Sequence, residues 1–282
     1  MVVLQKIEEI KNFLSKEKLS GKIIAFVPTM GALPAGHISL VEQCKQQTDV
    51  CVVSVFVNPT QFNDPEDFKR YPKRDAEDLE MLQNNKVDVV FMPNVEEMYP
   101  EKDMRIFSFG HLEKVMEGRF RPGHFNGVAQ IVSKLFEIVQ PHKAYFGLKD
   151  YQQYHIVKAL VSRYMNNLNI EIVGCPIIRE DDGLAMSSRN LLLSAEERKN
   201  ATILCKTLKQ VRDLSKTKTI DQVKEFVKET IYNEPNMKLE YFEIVDGDNL
   251  LPIVDWTDAE SPVACVAAYC GKIRLIDNMS IK

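Results

Sequence analysis

The chain has no hydrophobic run long enough to cross a bilayer. Its longest apolar stretches, such as CVVSVFV at residues 51–57 and PVACVAAYC at residues 262–270, fall far short of the roughly 20 residues a spanning helix needs. No membrane partner is expected. The opening MVVLQKIEEIKNFL carries acidic residues at helical spacing and does not resemble a signal peptide, which fits a cytoplasmic protein. The six cysteines, Cys44, Cys51, Cys175, Cys205, Cys265 and Cys270, show no CxxC or metal-finger spacing, and several sit in apolar segments. Reduced, buried thiols are the reading for that compartment. A basic excess is missing too: 36 Lys and Arg against 40 Asp and Glu give a formal net charge of −4, so no nucleic-acid partner is expected. An anionic ligand must then be drawn in by local groups against the overall charge. Repeats and low-complexity tracts are absent. No G-x-G-x-x-G follows the first strand expected for the sheet, which excludes a dinucleotide dehydrogenase.

What is present is an ordinary globular composition, 45% hydrophobic and 27% charged over 282 residues, enough for one large or two modest domains. Leu4, Ile7, Ile10 and Leu14 recur at three- and four-residue spacing and predict a first helix. KIIAFV then reads as a buried strand, followed by a helix over about residues 36–47, the buried strand CVVSVFV and a charged helix over about residues 74–84. VDVVFM, KAYFG and IEIVG are further strands, separated by the helical patterns FNGVAQIVSKLFEIV and DYQQYHIVKALVSRYM. Strands alternating with helices predict an α/β fold, a doubly wound parallel sheet covered on both faces. Beyond the SSRN sequence the texture changes. Ser194 and Glu197 form a capping box that opens one helix, another covers about residues 220–232, and the strands LEYFEIVD, PVACVAAYC and KIRLIDN follow. Helices first and strands after predict a smaller α+β domain, so the chain divides into residues 1–178 and 179–282.

Five stretches carry candidate chemistry. In FVPTMGALPAGHISLV, residues 26–41, Gly31 and Gly36 remove side chains where the backbone must turn or meet a ligand, and His37 stands at the start of a helix. Free N–H groups and the helix dipole favour anions there, although a capped glycine turn would look the same. FVNPTQF, residues 56–62, offers the amides of Asn58 and Gln61 directly after a buried strand; Asn-Pro is also a common plain turn. EGRFRPGHFNGV, residues 117–128, reads as a basic loop leading into an apolar helix and able to hold a carboxylate or phosphate, or simply to expose solvated arginines. YFGLKDYQQ, residues 145–153, puts Lys149 at a strand-to-helix junction, with Asp150 as a helix cap and Gln153 on the first turn. REDDGLAMSSRN, residues 179–190, combines two hydroxyls with a guanidinium, a set suited to phosphate oxygens or to a polar linker.

In order and spacing, these stretches together resemble the pantoate–β-alanine ligases (pantothenate synthetases) of the nucleotidyl-transferase superfamily. The likeness runs from about residue 20 to residue 200, and the C-terminal part agrees in size and in its RLIDN ending. One departure stands in the first stretch. The family pattern Pro-Thr-Met-Gly-Ala-Leu-His-x-Gly-His is here PTMGALPAGH, with Pro34 in place of the first signature histidine. Proline brings neither a side-chain donor nor a backbone N–H. A slower enzyme, an engineered or miscopied position, or a nucleotide-binding protein of the same fold without turnover, are the readings that Pro34 opens. Another nucleotidyl transferase, coupling a nucleotide to a phosphorylated alcohol, is a further alternative that VNPTQF and FGLKDYQQ disfavour.

The resemblance implies a Rossmann-like N-terminal domain and an ATP-dependent condensation of pantoate with β-alanine through a pantoyl adenylate, releasing AMP and pyrophosphate. It implies catalytic roles for His37, Lys149, Ser187, Ser188 and Arg189, and an ATP site formed by Met30, Gly31, Gly36, His37, Gly147, Lys149, Asp150, Met186, Ser187 and Arg189. Pantoate falls to Met30, Phe56, Gln61 and Gln153, and β-alanine to Asn58 and Gln61. Mg²⁺ is expected with ATP, with Asp78 as the acidic position near it. The partners implied are ATP, pantoate, β-alanine and a second copy of the chain in a homodimer, with the small C-terminal domain acting as a lid against water.

Overall fold

The computed structural model describes residues 1–62 and 65–282. Strands β1 (Val2–Leu4), β2 (Ile24–Thr29), β3 (Val50–Val55), β4 (Val89–Phe91), β5 (Lys143–Gly147) and β6 (Glu171–Cys175) form one sheet in the order β1-β4-β3-β2-β5-β6. Every neighbouring pair is parallel, with Ile24 opposite Val50 and Thr29 opposite Val55 at the centre. β3 is buried at every residue and β2 at five of six. These are Val-, Ile- and Ala-rich runs without alternation, which is what a parallel strand with both faces covered requires. Between its strands run α1 (Ile7–Leu19), α2 (Ala35–Gln47), α3 (Pro65–Arg70), α4 (Asp75–Asn84), α5 (Val95–Met98), α6 (Met116–Phe120), α7 (His124–Val139) and α8 (Tyr151–Tyr164), together with short 3-10 turns, and α1, α2 and α7 pack on the central strands. α7 is apolar nearly all round and buries 13 of its 16 residues. Phe26 of β2 meets Phe136 of α7 edge to face at 6.3 Å, a geometry worth roughly 0.5–1.5 kcal/mol beyond the buried area.

The strand order reverses at β2. From there the chain works outward through β3 and β4 on one side and β5 and β6 on the other. Ligands of open α/β sheets bind outside the strand ends at such a switch point. The loops after β2 and β5 therefore hold the favoured position.

Two expectations need correction. Leu4 does not begin the first helix: Val2–Leu4 pairs with β4, Leu4 opposite Phe91, and the helix starts at Ile7. The Leu4–Ile7 spacing mimicked a helix, but the β-branched pair before it found a sheet edge. The helix opened by Ser194 is also interrupted. Its capping box forms, with the Ser194 N–H donating to Glu197 at 2.8 Å and the Glu197 N–H to Ser194 Oγ at 3.2 Å. α9 (Ala195–Asn200) then stops, and α10 (Ile203–Leu214) starts anew. At the break the Thr202 hydroxyl donates to the Lys199 carbonyl at 2.8 Å, a local bond that competes with helical pairing.

The chain forms two compact units. One comprises residues 1–113, 117–148 and 153–176, and the other residues 114–116, 149–152 and 177–282. The second contains α9, α10, α11 (Ile220–Tyr232) and an antiparallel sheet β7-β8-β9 (Met237–Asp246, Pro262–Cys270, Ile273–Ser280). Its own core gathers Leu204, Leu208 and Val211 of α10, Val223 and Val227 of α11, and Ala264 and Val266 of β8. All six cysteines are buried free thiols.

Candidate active site

The loop after β2 is shaped by one carboxylate. Gly31 has φ +77° and Ala32 φ +49°, left-handed backbone that is unfavourable for alanine. Asp78 of α4, only 2% exposed, holds that conformation. One oxygen accepts the Ala32 N–H at 2.7 Å and the other the Leu33 N–H at 2.8 Å. A Cβ on Gly31 would stand 3.0 Å from the Asp78 carboxylate and 3.1 Å from Val55, so glycine is needed here for space as well as for φ. Burial pushes the Asp78 carboxyl above its ordinary range, against the two amides that favour its charge. The residue that the resemblance assigned to the metal is thus engaged in organising backbone. Among the described residues no group of three or more His, Cys, Asp or Glu could hold a metal ion; Mg²⁺ bound through ATP phosphates needs only one or two carboxylates, and both oxygens of Asp78 already accept backbone amides.

Pro34 ends this loop as the residue capping α2, at φ −76° and ψ 166°, with its carbonyl accepting the His37 N–H at 2.8 Å. It supplies no side-chain cap to the amides of the first turn, and that turn has no acidic residue. Gly36 lies within this helical turn and is not itself a turn glycine. His37 stands beside it, where the helix dipole favours an anion.

The loop after β3 meets the loop after β2 through Gln61, whose Nε2 lies 2.8 Å from the Met30 sulfur. Asn58, 1% exposed, begins the 3-10 turn Pro59–Gln61; its Oδ1 accepts from the Thr60 N–H, and its Nδ2 donates to Gln61 Oε1 at 3.3 Å and to the Gly127 carbonyl at 3.2 Å. The Tyr99 hydroxyl donates to Asn58 Oδ1 at 2.8 Å, and its ring lies 6.4 Å from that of Phe56. Tyr99 had no sequence signal, because it follows an unremarkable short helix far along the chain. α7 closes tightly on this turn: a Cβ at Gly127 would land on the Thr60 carbonyl.

The stretch over residues 117–128 is more ordered than a flexible loop. It forms α6, a turn through Gly123 at φ +82°, and the start of α7. His124, buried, places Nδ1 2.8 Å from the Gln61 carbonyl and Nε2 3.1 Å from Arg121 Nη1. Since the guanidinium can only donate, Nε2 accepts and Nδ1–H donates to Gln61. The histidine that sequence reading left inside a basic loop is a support of the 58–61 turn.

Gly147 ends β5, and the turn Leu148–Asp150 follows, carrying Lys149 and Asp150, whose charged groups lie 3.7 Å apart. Gln153 occupies the first turn of α8. In the second unit, Ser187 caps the 3-10 turn Ser188–Leu192 by accepting the Arg189 N–H at 3.2 Å, and Ser188 is buried within it. Asn190 braces the same turn by donating to the Ala185 carbonyl at 3.1 Å.

These residues, read as chemistry, form two groups. Met30, Phe56, Asn58 and Gln61 come together in the first unit as an apolar and amide-lined cluster, and Met186–Arg189 present hydroxyls and a guanidinium in the second. Comparison with known proteins gives the chain a family. The family model described as pantoate-beta-alanine ligase matches residues 2–280. A pantothenate synthetase of Bacteroides fragilis is 51% identical over 282 residues, covering 100% of this chain and 99% of that one. The crystal structure of pantothenate synthetase from Thermus thermophilus superposes with a TM-score of 0.93 at 40% identity, over 100% of this chain and 99% of that one. A pantoate-beta-alanine ligase from Francisella tularensis, solved in complex with "Beta-gamma ATP" and β-alanine, gives 0.84 at 34% identity over 100% of this chain and 98% of that one. Matched from end to end in sequence and in fold, the chain belongs to the pantoate–β-alanine ligase family and is an enzyme that joins pantoate to β-alanine.

Proposed function

We propose that this ligation runs through an acyl adenylate. The pantoate carboxylate attacks the α-phosphorus of ATP, a new O–P bond forms, and pyrophosphate leaves. The β-alanine amine then attacks the activated carbonyl carbon; the C–O bond to the phosphoryl group breaks, AMP departs with that oxygen, and the amine loses a proton. A carboxylate alone is a poor electrophile because its leaving group would be oxide. Adenylation supplies a good one.

The observation that supports this most is the loop after β2, whose strained backbone is held by Asp78 and runs directly into the side-chain-free cap of α2 beside His37. In the proposal, His37, Lys149, Ser187, Ser188 and Arg189 offset the phosphate charge and the charge that develops in the first step. Met30, Gly31, Gly36, Gly147, Asp150 and Met186 line the nucleotide. Gln61 and Gln153 bind pantoate's hydroxyl and carboxylate, with Met30 and Phe56 against its gem-dimethyl carbon, and Asn58 with Gln61 receives β-alanine. No covalent bond to protein is required, so catalysis is positioning plus electrostatics. Mg²⁺ would enter as the counter-ion of ATP, offsetting phosphate charge in the first step. A cytoplasmic homodimer completes the reading.

Pantoate labelled with ¹⁸O in its carboxylate tests the route. The adenylate path transfers one label to the phosphate of AMP in each turnover; unlabelled AMP would rule it out. Pro34 supports a second reading, an impaired enzyme, because it caps α2 where a donor side chain is expected. In the same assay a Pro34→His variant faster by roughly 10²–10³, the range for one added transition-state donor, would establish that impairment. Equal rates would dismiss it.

A further inference from the structure

The RLIDN ending on β9 has no part in the chemistry so far, yet its last two residues are buried. Asp277 is held in a two-pronged pair with Arg179, 2.7 Å from Nη1 to Oδ2 and 2.9 Å from Nη2 to Oδ1. Its Oδ1 also accepts the Asn278 N–H at 2.7 Å. Arg179 donates onward to the carbonyls of Gly183 at 3.1 Å and Asn278 at 3.2 Å. Residues 178–186 form a hairpin around it: Arg179 bridges Ala185, the Glu180 N–H donates to the Leu184 carbonyl at 2.9 Å, and the Met186 N–H to the Ile178 carbonyl at 3.0 Å. That hairpin delivers the chain directly into Ser187, Ser188 and Arg189. On the other side, Asn278 Nδ2 donates to the Lys149 carbonyl at 2.9 Å. Two short segments, far apart in sequence, are therefore tied to one buried dipeptide of β9, all within the second compact unit.

We infer that Asp277 and Asn278, with Arg179, are positioning residues that set the Lys149 turn relative to the Ser187–Arg189 turn so that both can engage the phosphates of ATP. The inference rests on the reading of Lys149 and Ser187–Arg189 as phosphate-binding. The geometry is economical, since a guanidinium fork has one orientation against a carboxylate and neighbouring residues of a strand are fixed relative to each other. A displacement of about 1 Å at a reacting group can cost on the order of 10² in rate.

The test is Asn278→Ala beside Lys149→Ala in the full-length protein, measuring AMP formation with ATP, pantoate or β-alanine varied in turn, ATP binding by calorimetry, and thermal unfolding. The expected result is a loss of roughly tenfold to a hundredfold in kcat/KM for ATP with weaker ATP binding, while KM for pantoate stays within about twofold. If Asn278→Ala fails to fold, Asn278→Ser, too short to reach the Lys149 carbonyl, takes its place. Lowered melting with unchanged ATP parameters, while Lys149→Ala is impaired, would leave Asp277–Asn278 a purely structural pair and overturn the inference alone. Unchanged ATP parameters in Lys149→Ala would remove the phosphate reading of Lys149 and the inference with it.

Discussion

The two compact units each hold a candidate loop in place with a buried aspartate, and they do it differently. In the first, Asp78 faces only neutral donors on this loop, the amides of Ala32 and Leu33. In the second, Asp277 faces the Arg179 guanidinium and shapes its hairpin through that partner. Burial pushes both carboxyls upward, and only Asp277 has an opposite charge drawing it back. The difference follows from what each loop must do. In the proposed function the loop after β2 presents its own backbone to a ligand, and a neutral hold from behind suits that role. The hairpin must instead carry side chains in register, and a planar ion pair fixes direction as well as distance.

Removing Asp277 should break the comparison most visibly. Asp277→Ala leaves a largely buried guanidinium without its counter-charge, and breaking such a pair costs about 3–5 kcal/mol; urea unfolding measures it, and a loss near zero would mean that Arg179 finds another acceptor. Asp78→Asn should cost less, about 1–3 kcal/mol for a buried amide left without an acceptor, because the two amides bond different carboxylate oxygens and the substitution turns one of those oxygens into an NH₂ donor. A drop in activity should accompany it as Ala32 relaxes from its strained backbone.

The smallest effect, and the sharpest in sign, comes from Asp103. Its hydrogen bond to Arg105 lowers its carboxyl to about 2. A depressed folded value means stability that is present above the unfolded range near 4 and is lost as pH falls through about 2. The deficit of Asp103→Asn should therefore shrink on acidification across that window. Asp78 runs the other way. Its raised folded value gives stability that is full below the unfolded value and is lost as pH rises, so the deficit of Asp78→Asn should widen on acidification. Unfolding curves for the two variants between about pH 7 and pH 2 would show the Asp78→Asn deficit growing as pH falls toward about 4 and the Asp103→Asn deficit shrinking below it, and deficits moving in the same direction would refute the contrast.

Much of the fold was legible because burial dictates pattern. The uniform apolar runs of β2 and β3 announced a sheet covered on both faces, and the Ser194–Glu197 box marked a helix start that formed. The misreadings were local. Leu4 had helical spacing, but a three-residue edge strand against β4 won, and one expected helix is two, with a threonine hydroxyl bonded to the backbone at the break. At the site, the residues that would touch ligand stood in recognisable stretches; His124, Arg179 and Asp277 lay in such stretches too, but nothing local gave their holding role, and Tyr99 lay in none. Tyr99, His124, Arg179 and Asp277 reach their targets across 41, 63, 4 and 98 positions, and three of those four spans have no local pattern to reveal them.

The sequence by itself determined the apolar runs that are buried, most of the helices and strands, and the family whose motif order the chain follows, because hydrophobic periodicity and glycine placement act within a few residues. Only the tertiary structure decided that Asp78 organises backbone, that the 58–61 turn rests on His124 and Gly127, and that RLIDN ties Lys149 to the Ser187–Arg189 segment. Those are contacts between groups far apart along the chain. Their partners are chosen by distance and hydrogen-bond geometry after collapse, and a one-dimensional pattern does not contain that choice.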